Sequence, residues 1–500
     1  MAVYEVADVD GAFAGSVAGF AGMLAELGDP LADVVSHDEL EGWLQRAGRS
    51  LLRSLLQEHL DLRAAREVRR ADVVAAGEVR ARTRVESGHV RVLTTVFGPV
   101  MVRRLAYRAA GARNLYPADA VLNLPEHSFS HGLRRLAAVE AGRGSFEQAQ
   151  AAIGRATGVV VGKRQVEALA ARAVADVEGF WAGRRPSRCP DDVALVLTFD
   201  GKGVVMRPGS LRPATAKAAA RGGNKLGTRL SRGEKRNRKR MAEVGCVYDA
   251  VPGVRTPADV LARGDTAQAP APVAAAKWLT ASVEADAAEV IATGFDEAER
   301  RDPGRRRDWI VLVDGQAWQI DAIQAEAARR HVTVTIVADF VHVLEYLWKA
   351  GWCFFTEGDR AIEDWIARQA RRLLEGHADA VADTIRRTAD ANGLDPARRR
   401  NADTAAGYLQ RLAPHLRYDH ALANGWPIAT GIIEGAVRHL VKDRMDITGA
   451  RWSLTGAETI LQLRTLIANG ELHEYWRHHL RQQQHRNHTS RYRDNLTLAA

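Results

Sequence analysis

A multidomain α/β protein is predicted by three features of the sequence. Short apolar runs each end in an acidic residue, amphipathic stretches of helical period flank them, and 500 residues are too many for one small core. With 46% apolar residues the chain is globular, and roughly two to four domains are expected. The formal charge is +9 and the pI near 9.6, which favours a polyanionic partner. A membrane span is not expected: the most apolar early run, Gly11 to Ala25, is too short, is preceded by Asp8 and Asp10, and lacks the basic start of a signal peptide. Cys189, Cys246 and Cys353 are odd in number and far apart, so a reducing cytoplasm is the expected compartment.

Residues 1–85 are predicted to be helical. Ser36-His37-Asp38-Glu39 reads as a capping box opening a helix with Leu40, Leu44, Leu51, Leu55 and Leu62 on its apolar positions. Residues 86–130 hold a small β-hairpin, with β-branched residues from Val90 to Tyr107 around a turn at Phe97-Gly98-Pro99. Residues 131–185 contain a helix-turn-helix pattern. Phe146, Ala149, Ala152 and Ile153 line one helix ending at Thr157-Gly158, and Val166, Leu169 and Ala173 line a second that begins at Lys163. Lys163, Arg164 and Gln165 would lead that second helix into a major groove; an ordinary helical hairpin fits the same pattern.

Residues 190–345 carry the strand-plus-acid units. Val193 to Asp200 is a continuous apolar run that turns at Gly201-Lys202-Gly203 into a neighbour through Met206, and Glu243 to Val251 is a third strand candidate. A helix is predicted over about Ala274 to Glu299, then strands at Trp309 to Asp314 and Val332 to Asp339. Three strands, a helix, a strand, a helix and a strand is the order of a ribonuclease-H-like core. Acids fall at the ends of its first, fourth and fifth strands. Carboxylates gathered at one sheet edge are the natural ligands for Mg2+ or Mn2+, and two such ions ~4 Å apart serve phosphoryl transfer. Acids after buried strands also serve as turn residues and N-caps, a role that fits Asp339 before the apolar stretch through Leu344, Leu347 and Trp348.

Residues 346–428 are predicted as a helical insertion, supplied chiefly by Thr356 to Asn424, and residues 429–470 as the core helix bearing Glu434. Read as one helix, Glu434, Arg438 and Lys442 share a face that could hold a metal and a phosphate together. Residues 471–500 read as a basic polar tail. A basic insertion spans 207–240, with twelve Lys or Arg against Glu234 alone. Its dense end, Lys235, Arg236, Arg238, Lys239 and Arg240, is suited to neutralising phosphates.

From about Val90 onward the sequence resembles the ISKra-type insertion-sequence transposases, members of the broad DDE group together with Mutator-like and hAT enzymes. The resemblance rests on Phe199-Asp200-Gly201-Lys202, Val313-Asp314-Gly315, Asp339-Phe340-Val341-His342 continuing to Tyr346-Leu347, and Gly431-Ile432-Ile433-Glu434 followed by Arg444-Met445 and Gly449-Ala450-Arg451-Trp452. It implies that Asp200, Asp314 and Glu434 bind catalytic Mg2+ or Mn2+, that Asp339 and His342 form a D-x-x-H motif, and that an all-helical insertion precedes the glutamate. Arg444 is expected to contact DNA, and Trp452 would either stack on an unpaired base at the element end or belong to the core. The expected partner is double-stranded DNA, both element ends and target, bound by a homodimer or higher oligomer in the bacterial cytoplasm at the nucleoid, with no membrane. One departure is the lack of cysteine from Arg104 to Asn123, where related sequences carry a zinc ribbon. A ribonuclease-H-like nuclease and a non-catalytic helix-turn-helix regulator are the alternative functions.

Overall fold

The computed structural model describes residues 11–221, 234–235, 238–262, 269–447 and 449–493. They form an α/β protein of two compact units: Met1–Ala182 with Gly470–Ala500, and Gly183–Asn469. Among the described residues no helix is long and apolar enough to cross a membrane.

In the first unit, helix α1 (Ala14–Leu27) lies on α2 (His37–Ala65). The capping box is present: Ser36 Oγ accepts the Glu39 N–H at 3.4 Å, and Glu39 accepts the Ser36 N–H at 3.1 Å. Short strands β1 (Val73–Val74) and β2 (Ala81–Arg82) pair, and β3 (Arg84–Thr95) and β4 (Gly98–Arg108) form the hairpin. Its turn lies one residue earlier than the sequence suggests. Thr95 pairs with Gly98, so Val96-Phe97 is the loop, while Gly98, at φ +117°, supplies the left-handed backbone that restarts the strand. After α3 (Pro117–Val121) come α4 (His131–Arg143), α5 (Phe146–Thr157), α6 (Lys163–Ala173) and α7 (Val177–Ala182). α4, α5 and α6 pack on one another through Leu133, Ile153, Val166 and Leu169, all buried.

Of the expected polar tail, 471–500, residues 494–500 lie outside the described residues, and the rest holds a helix, Leu472–Asn487, that belongs to this unit. Its polar composition hides one apolar face, Tyr475, Trp476 and His479, each buried, and Tyr475 donates its hydroxyl to the Ala173 carbonyl at 2.6 Å. Arg134 organises the junction. Its guanidinium donates to His131 Nδ1 at 3.1 Å and lies 3.4 Å from His479 Nε2. The opposite nitrogens face the Asn123 carbonyl at 2.8 Å and Asp176 Oδ2 at 2.6 Å. A ring that accepts on one nitrogen and donates from the other is neutral.

The second unit is built on a five-stranded sheet. Its strands are β5 (Ala194–Val205), β6 (Lys239–Val251), β7 (Val273–Ser282), β8 (Trp309–Val313) and β9 (Thr335–Ala338), in the order β7-β6-β5-β8-β9. β5–β6 and β6–β7 are antiparallel, β5–β8 and β8–β9 parallel. Two expectations are corrected. Gly201-Lys202-Gly203 is not a turn: β5 runs straight through it, paired with Met241 to Glu243. The Ala-rich start of the predicted helix, from Ala274, is strand β7, because the open edge of β6 offers backbone partners that outweigh alanine's helix propensity. The two errors cancel, so Trp309–Val313 remains the fourth strand.

α8 (Pro213–Arg221) and α9 (Pro257–Leu261) lie in the connections, while α10 (Ala287–Arg301) and α11 (Ala317–Arg330) pack on each other. α12 (Phe340–Gly351) follows β9 and leads into the helical insertion, α13 (Ala361–Leu374), α14 (Ala378–Ala391), α15 (Pro396–Leu412) and α16 (Tyr418–Ala423). α17 (Gly431–Val437), a π-helical turn Arg438–Lys442, α18 (Asp443–Met445) and α19 (Leu454–Ala468) complete the unit.

The neutral imidazoles of the first unit make its stability pH-dependent. Burial pushes His131 and His479 from their ordinary 6.5 down to about 4. The unfolded chain therefore takes up protons first as pH falls through 6.5, and stability present above 6.5 is lost progressively toward pH 4. Thermal melts between pH 7.5 and 4.5 are expected to show a loss on the order of 1–3 kcal/mol for each imidazole. His131→Gln, which has no proton to gain, should flatten the dependence; an unchanged profile counts against the neutral tautomer.

Candidate metal centre at the carboxyl edge of the sheet

The last parallel pairs, Thr198 with Leu312 and Val313 with Ala338, set the level of the sheet edge. Continued by two residues and by one, this register puts Asp200 beside Asp314 and Asp314 beside Asp339, on strands ~4.8 Å apart. Phe199 points to the face covered by α10, where a Cβ on Gly294 would lie 2.7 Å from its ring. The alternation of β5 therefore turns Asp200 to the opposite face, over which α17 packs against β5 and β6 and brings Glu434.

The helical insertion holds the edge in place. Tyr408 of α15 donates its hydroxyl to the Asp314 carbonyl at 3.0 Å, Arg411 donates to the Gly315 carbonyl at 2.9 Å, and Tyr418 donates to the Ala338 carbonyl at 2.8 Å. Gly315 has φ +86°, where a side chain is strained, and a Cβ there would run into Leu412 Cδ1 and the Tyr408 hydroxyl, so glycine suits the passage under α15. Asp339 is fully buried. Its Oδ1 accepts the Val341 N–H at 2.8 Å, capping α12, and its Oδ2 accepts the Thr430 hydroxyl. His342, one turn along α12, places Nε2 4.0 Å from Asp314 Oδ2 and Nδ1 3.5 Å from Asp339 Oδ2.

Burial raises the Asp314 carboxyl to about 6, with the charges of Asp200, Asp339 and Glu434 adding to it and His342 opposing. Burial also raises Asp200, against the Gly201 N–H that its carboxylate accepts at 2.6 Å. Among the described residues no Lys or Arg forms an ion pair with Asp200, Asp314 or Glu434. Several carboxylates converge here without a Lys or Arg ion pair, the His342 imidazole standing beside Asp314 and the Lys202 charge acting on Asp200, a donor set that fits a divalent cation. One ligand atom each from Asp314, Asp339 and His342 fall within 4.8 Å of one another; among the described residues this trio, not Asp200, Asp314 and Glu434, is the group gathered so closely. Glu434 itself is exposed.

The sequence missed a fifth acid, Glu243. It lies opposite Gly201 in β6, and burial followed by the Asp200 charge raises its carboxyl. An acid inside the apolar β6 run was the available signal. It also missed Thr430 and Tyr408, whose roles depend on contacts far along the chain.

The candidate DNA-binding residues have varied placements. Lys163, Arg164 and Gln165 are exposed at the start of α6; Lys163 pairs with Glu147 at 3.1 Å, and Gln165 caps its own helix by accepting the Gly162 N–H at 2.9 Å. Arg438 and Lys442 are exposed at the ends of the π-helical turn. Arg444 and Trp452 are buried, the guanidinium 4.8 Å from the indole centroid, while Trp452 Nε1 donates to the Met445 carbonyl at 3.0 Å. Ring and guanidinium both face inward, so the expected DNA contact of Arg444 and base stacking at Trp452 are corrected. Arg240 is likewise engaged, donating to the carbonyls of Val283 at 2.6 Å and Glu284 at 3.0 Å. Lys235, Arg238 and Lys239 are half-buried, and Arg236 lies outside the described residues. In comparisons with protein-family models and with curated proteins, nothing matches the chain.

The raised Asp314 carboxyl favours the folded state below its ordinary 3.8, and this advantage is lost as pH rises through about 6. Without divalent ions, Asp314→Asn should therefore stabilise the protein at pH 7.5 by up to about 3 kcal/mol, the gain fading toward pH 4. Denaturant melts in chelator at both pH values check this. A variant less stable at pH 7.5 would mean that the carboxylates are not crowded.

Proposed function

We propose that this chain is a DDE-type transposase that cleaves and joins DNA with Mg2+ or Mn2+ at the carboxyl edge of its sheet. One observation carries the reading: the charges of the strand-end aspartates and Glu434 all bear on Asp314, which among the described residues has His342 but no Lys or Arg as an ion-pair partner. Supporting it is the sheet order, 3-2-1-4-5 in chain order with the second strand antiparallel to its neighbours, which is the order expected of a ribonuclease-H-like core.

In this reading Asp200, Asp314 and Glu434 hold the ions, which supply activation of the attacking oxygen and stabilisation of the leaving one. Asp200 and Asp314 are fixed by the sheet, so little reorganisation is needed to present them. Glu434 comes from a short helix packed over the face to which Asp200 turns, and closes the centre from there. Asp339 acts behind them: it caps α12 and so sets the position of His342 beside Asp314. Arg438 and Lys442, exposed just after Glu434, are placed to receive backbone phosphates. In the other unit, α5 and α6 serve as the helix-turn-helix, with Lys163, Arg164 and Gln165 at base edges and phosphates. The remaining parts of the proposal are double-stranded element ends and target DNA as partners, a homodimer or higher oligomer as the acting form, and the cytoplasm at the nucleoid as its place.

Three experiments test these roles. In cleavage and joining assays with labelled element ends, Asp200→Asn, Asp314→Asn and Glu434→Gln should each lose activity by at least ~100-fold while still binding DNA. Asp339→Asn still caps α12 and should keep measurable activity, at a stability cost of ~1 kcal/mol. An inactive, well-folded Asp339→Asn beside an active Asp314→Asn would move the metal-binding role to Asp339. Cleavage without joining would indicate a nuclease, and full activity in all three carboxylate variants a non-catalytic regulator. Replacing Lys163 and Arg164 with Ala should reduce the preference for element ends over random DNA by ~1–3 kcal/mol for each base edge no longer hydrogen-bonded. Equal weakening on both DNAs would assign these side chains to phosphates. Replacing Lys235, Arg238 and Lys239 with Ala should flatten the log–log salt dependence by ~0.9 for each phosphate no longer neutralised. An unchanged slope would take this segment out of the interface.

A further inference from the structure

The first unit contains a cavity of about 190 Å³ between the loop before α4, the end of α6 and the C-terminal helix. Arg134, Arg172 and Arg486 line it, with His127 and the side-chain amides of Gln483 and Asn487. The three guanidinium groups are not equivalent. Arg486 is committed to Asp176, whose Oδ2 it approaches at 2.9 Å. Arg134 is 3% exposed, and its hydrogen bonds go to neutral acceptors, His131, His479 and Gln483 Oε1 at 3.2 Å. Its Nε finds no acceptor. A charge buried to this degree without a carboxylate is costly unless an anion shares the site. Arg172 is exposed on the rim and lies close enough to oppose the charges of both Arg134 and His127. The one acid lining the cavity, Glu126, is exposed and faces Arg491 at 3.9 Å.

We infer that this cavity is a phosphate site, with Arg134 as its buried floor and Arg172 as its rim. Gln483 has its amide oxygen occupied by Arg134 and by Asn487 at 3.0 Å, so its NH2 end is left to donate. The volume accommodates a phosphate group with its first waters. Its place in the fold favours a backbone phosphate of bound DNA. Arg164, Ala168 and Arg172 are all exposed and fall at intervals of four along α6, so the rim arginine continues the stripe that begins at the leading end of the helix-turn-helix. Over eight residues the stripe spans ~12 Å, about three to four backbone steps of ~3.4 Å along one strand. The choice of DNA as the source rests on the proposed function; the phosphate chemistry of the cavity does not.

The test uses the full chain in chelator, so that no divalent ion contributes. Inorganic phosphate titrated by calorimetry at constant ionic strength should bind wild-type protein, and Arg172→Gln, an exposed change that leaves the packing intact, should weaken it by about tenfold. Arg134→Lys keeps the charge but loses the fork, and should weaken phosphate further if it folds. In parallel, the same Arg172→Gln protein is titrated with a short duplex at several salt concentrations. A matching loss on duplex, with the log–log slope reduced by ~0.9, assigns the site to the DNA backbone. Loss of phosphate binding with duplex binding unchanged keeps the site but assigns it to a free phosphate compound. A wild-type protein that binds phosphate and not duplex would sink the DNA-binding reading alone. No phosphate binding by wild-type protein, or equal binding by Arg172→Gln, overturns the site.

Discussion

The second unit depends on holding like charges together. Asp200, Asp314, Asp339 and Glu434 converge on one edge of the sheet, and Asp314 feels the other three through a partly buried, weakly screened environment. Carboxylates left to themselves would separate, so each must be fixed by something stiffer than its own rotamers. For Asp200 and Asp314 that is the paired backbone of β5 and β8. For Asp339 it is the start of α12 and the Thr430 hydroxyl. For Glu434 it is a helix packed across β5 and β6.

The helical insertion takes a specific part in this. Tyr408, Arg411 and Tyr418 donate to carbonyls at the ends of β8 and β9, and Gly315 passes beneath α15 at a φ where a side chain is strained. Tyr408 also stacks on Tyr346 of α12, with centroids 3.9 Å apart, so that helix and sheet edge are gripped by the same residue. The π-helical turn after Glu434 has a comparable support. The wider turn rearranges the backbone hydrogen bonds, and Arg464 of α19 donates to the carbonyls of His439 and Leu440.

Basic residues divide between scaffold and surface in a way that net charge does not reveal. Arg240, Arg444 and Arg464 are tied into carbonyls or stacked on an indole, whereas Lys163, Arg164, Arg172, Arg438 and Lys442 are exposed. Arg134 stands apart as a buried guanidinium among neutral hydrogen-bond partners. An electropositive chain can therefore owe much of its charge to structural arginines, and exposure decides which of them can meet a polyanion.

The sequence by itself determined the local features: the Ser36–Glu39 capping box, the apolar faces of α5 and α6, and the buried strands that end at Asp314 and Asp339. These depend on periodicity and on residues within one turn of each other, so they are legible without a fold. It also supplied Asp200 and Glu434, through the pattern of acids rather than through their contacts. Only the tertiary structure decided the rest. The edge of β6 turned an alanine-rich stretch into β7, and pairing with β6 drew Gly201-Lys202-Gly203 into one long strand. A face made of Tyr475, Trp476 and His479 drew the polar C-terminal stretch into the first unit, and burial took Trp452 out of reach. In each case backbone partners or apolar surface from a distant part of the chain outweighed the local preference, and neither can be read from neighbouring residues.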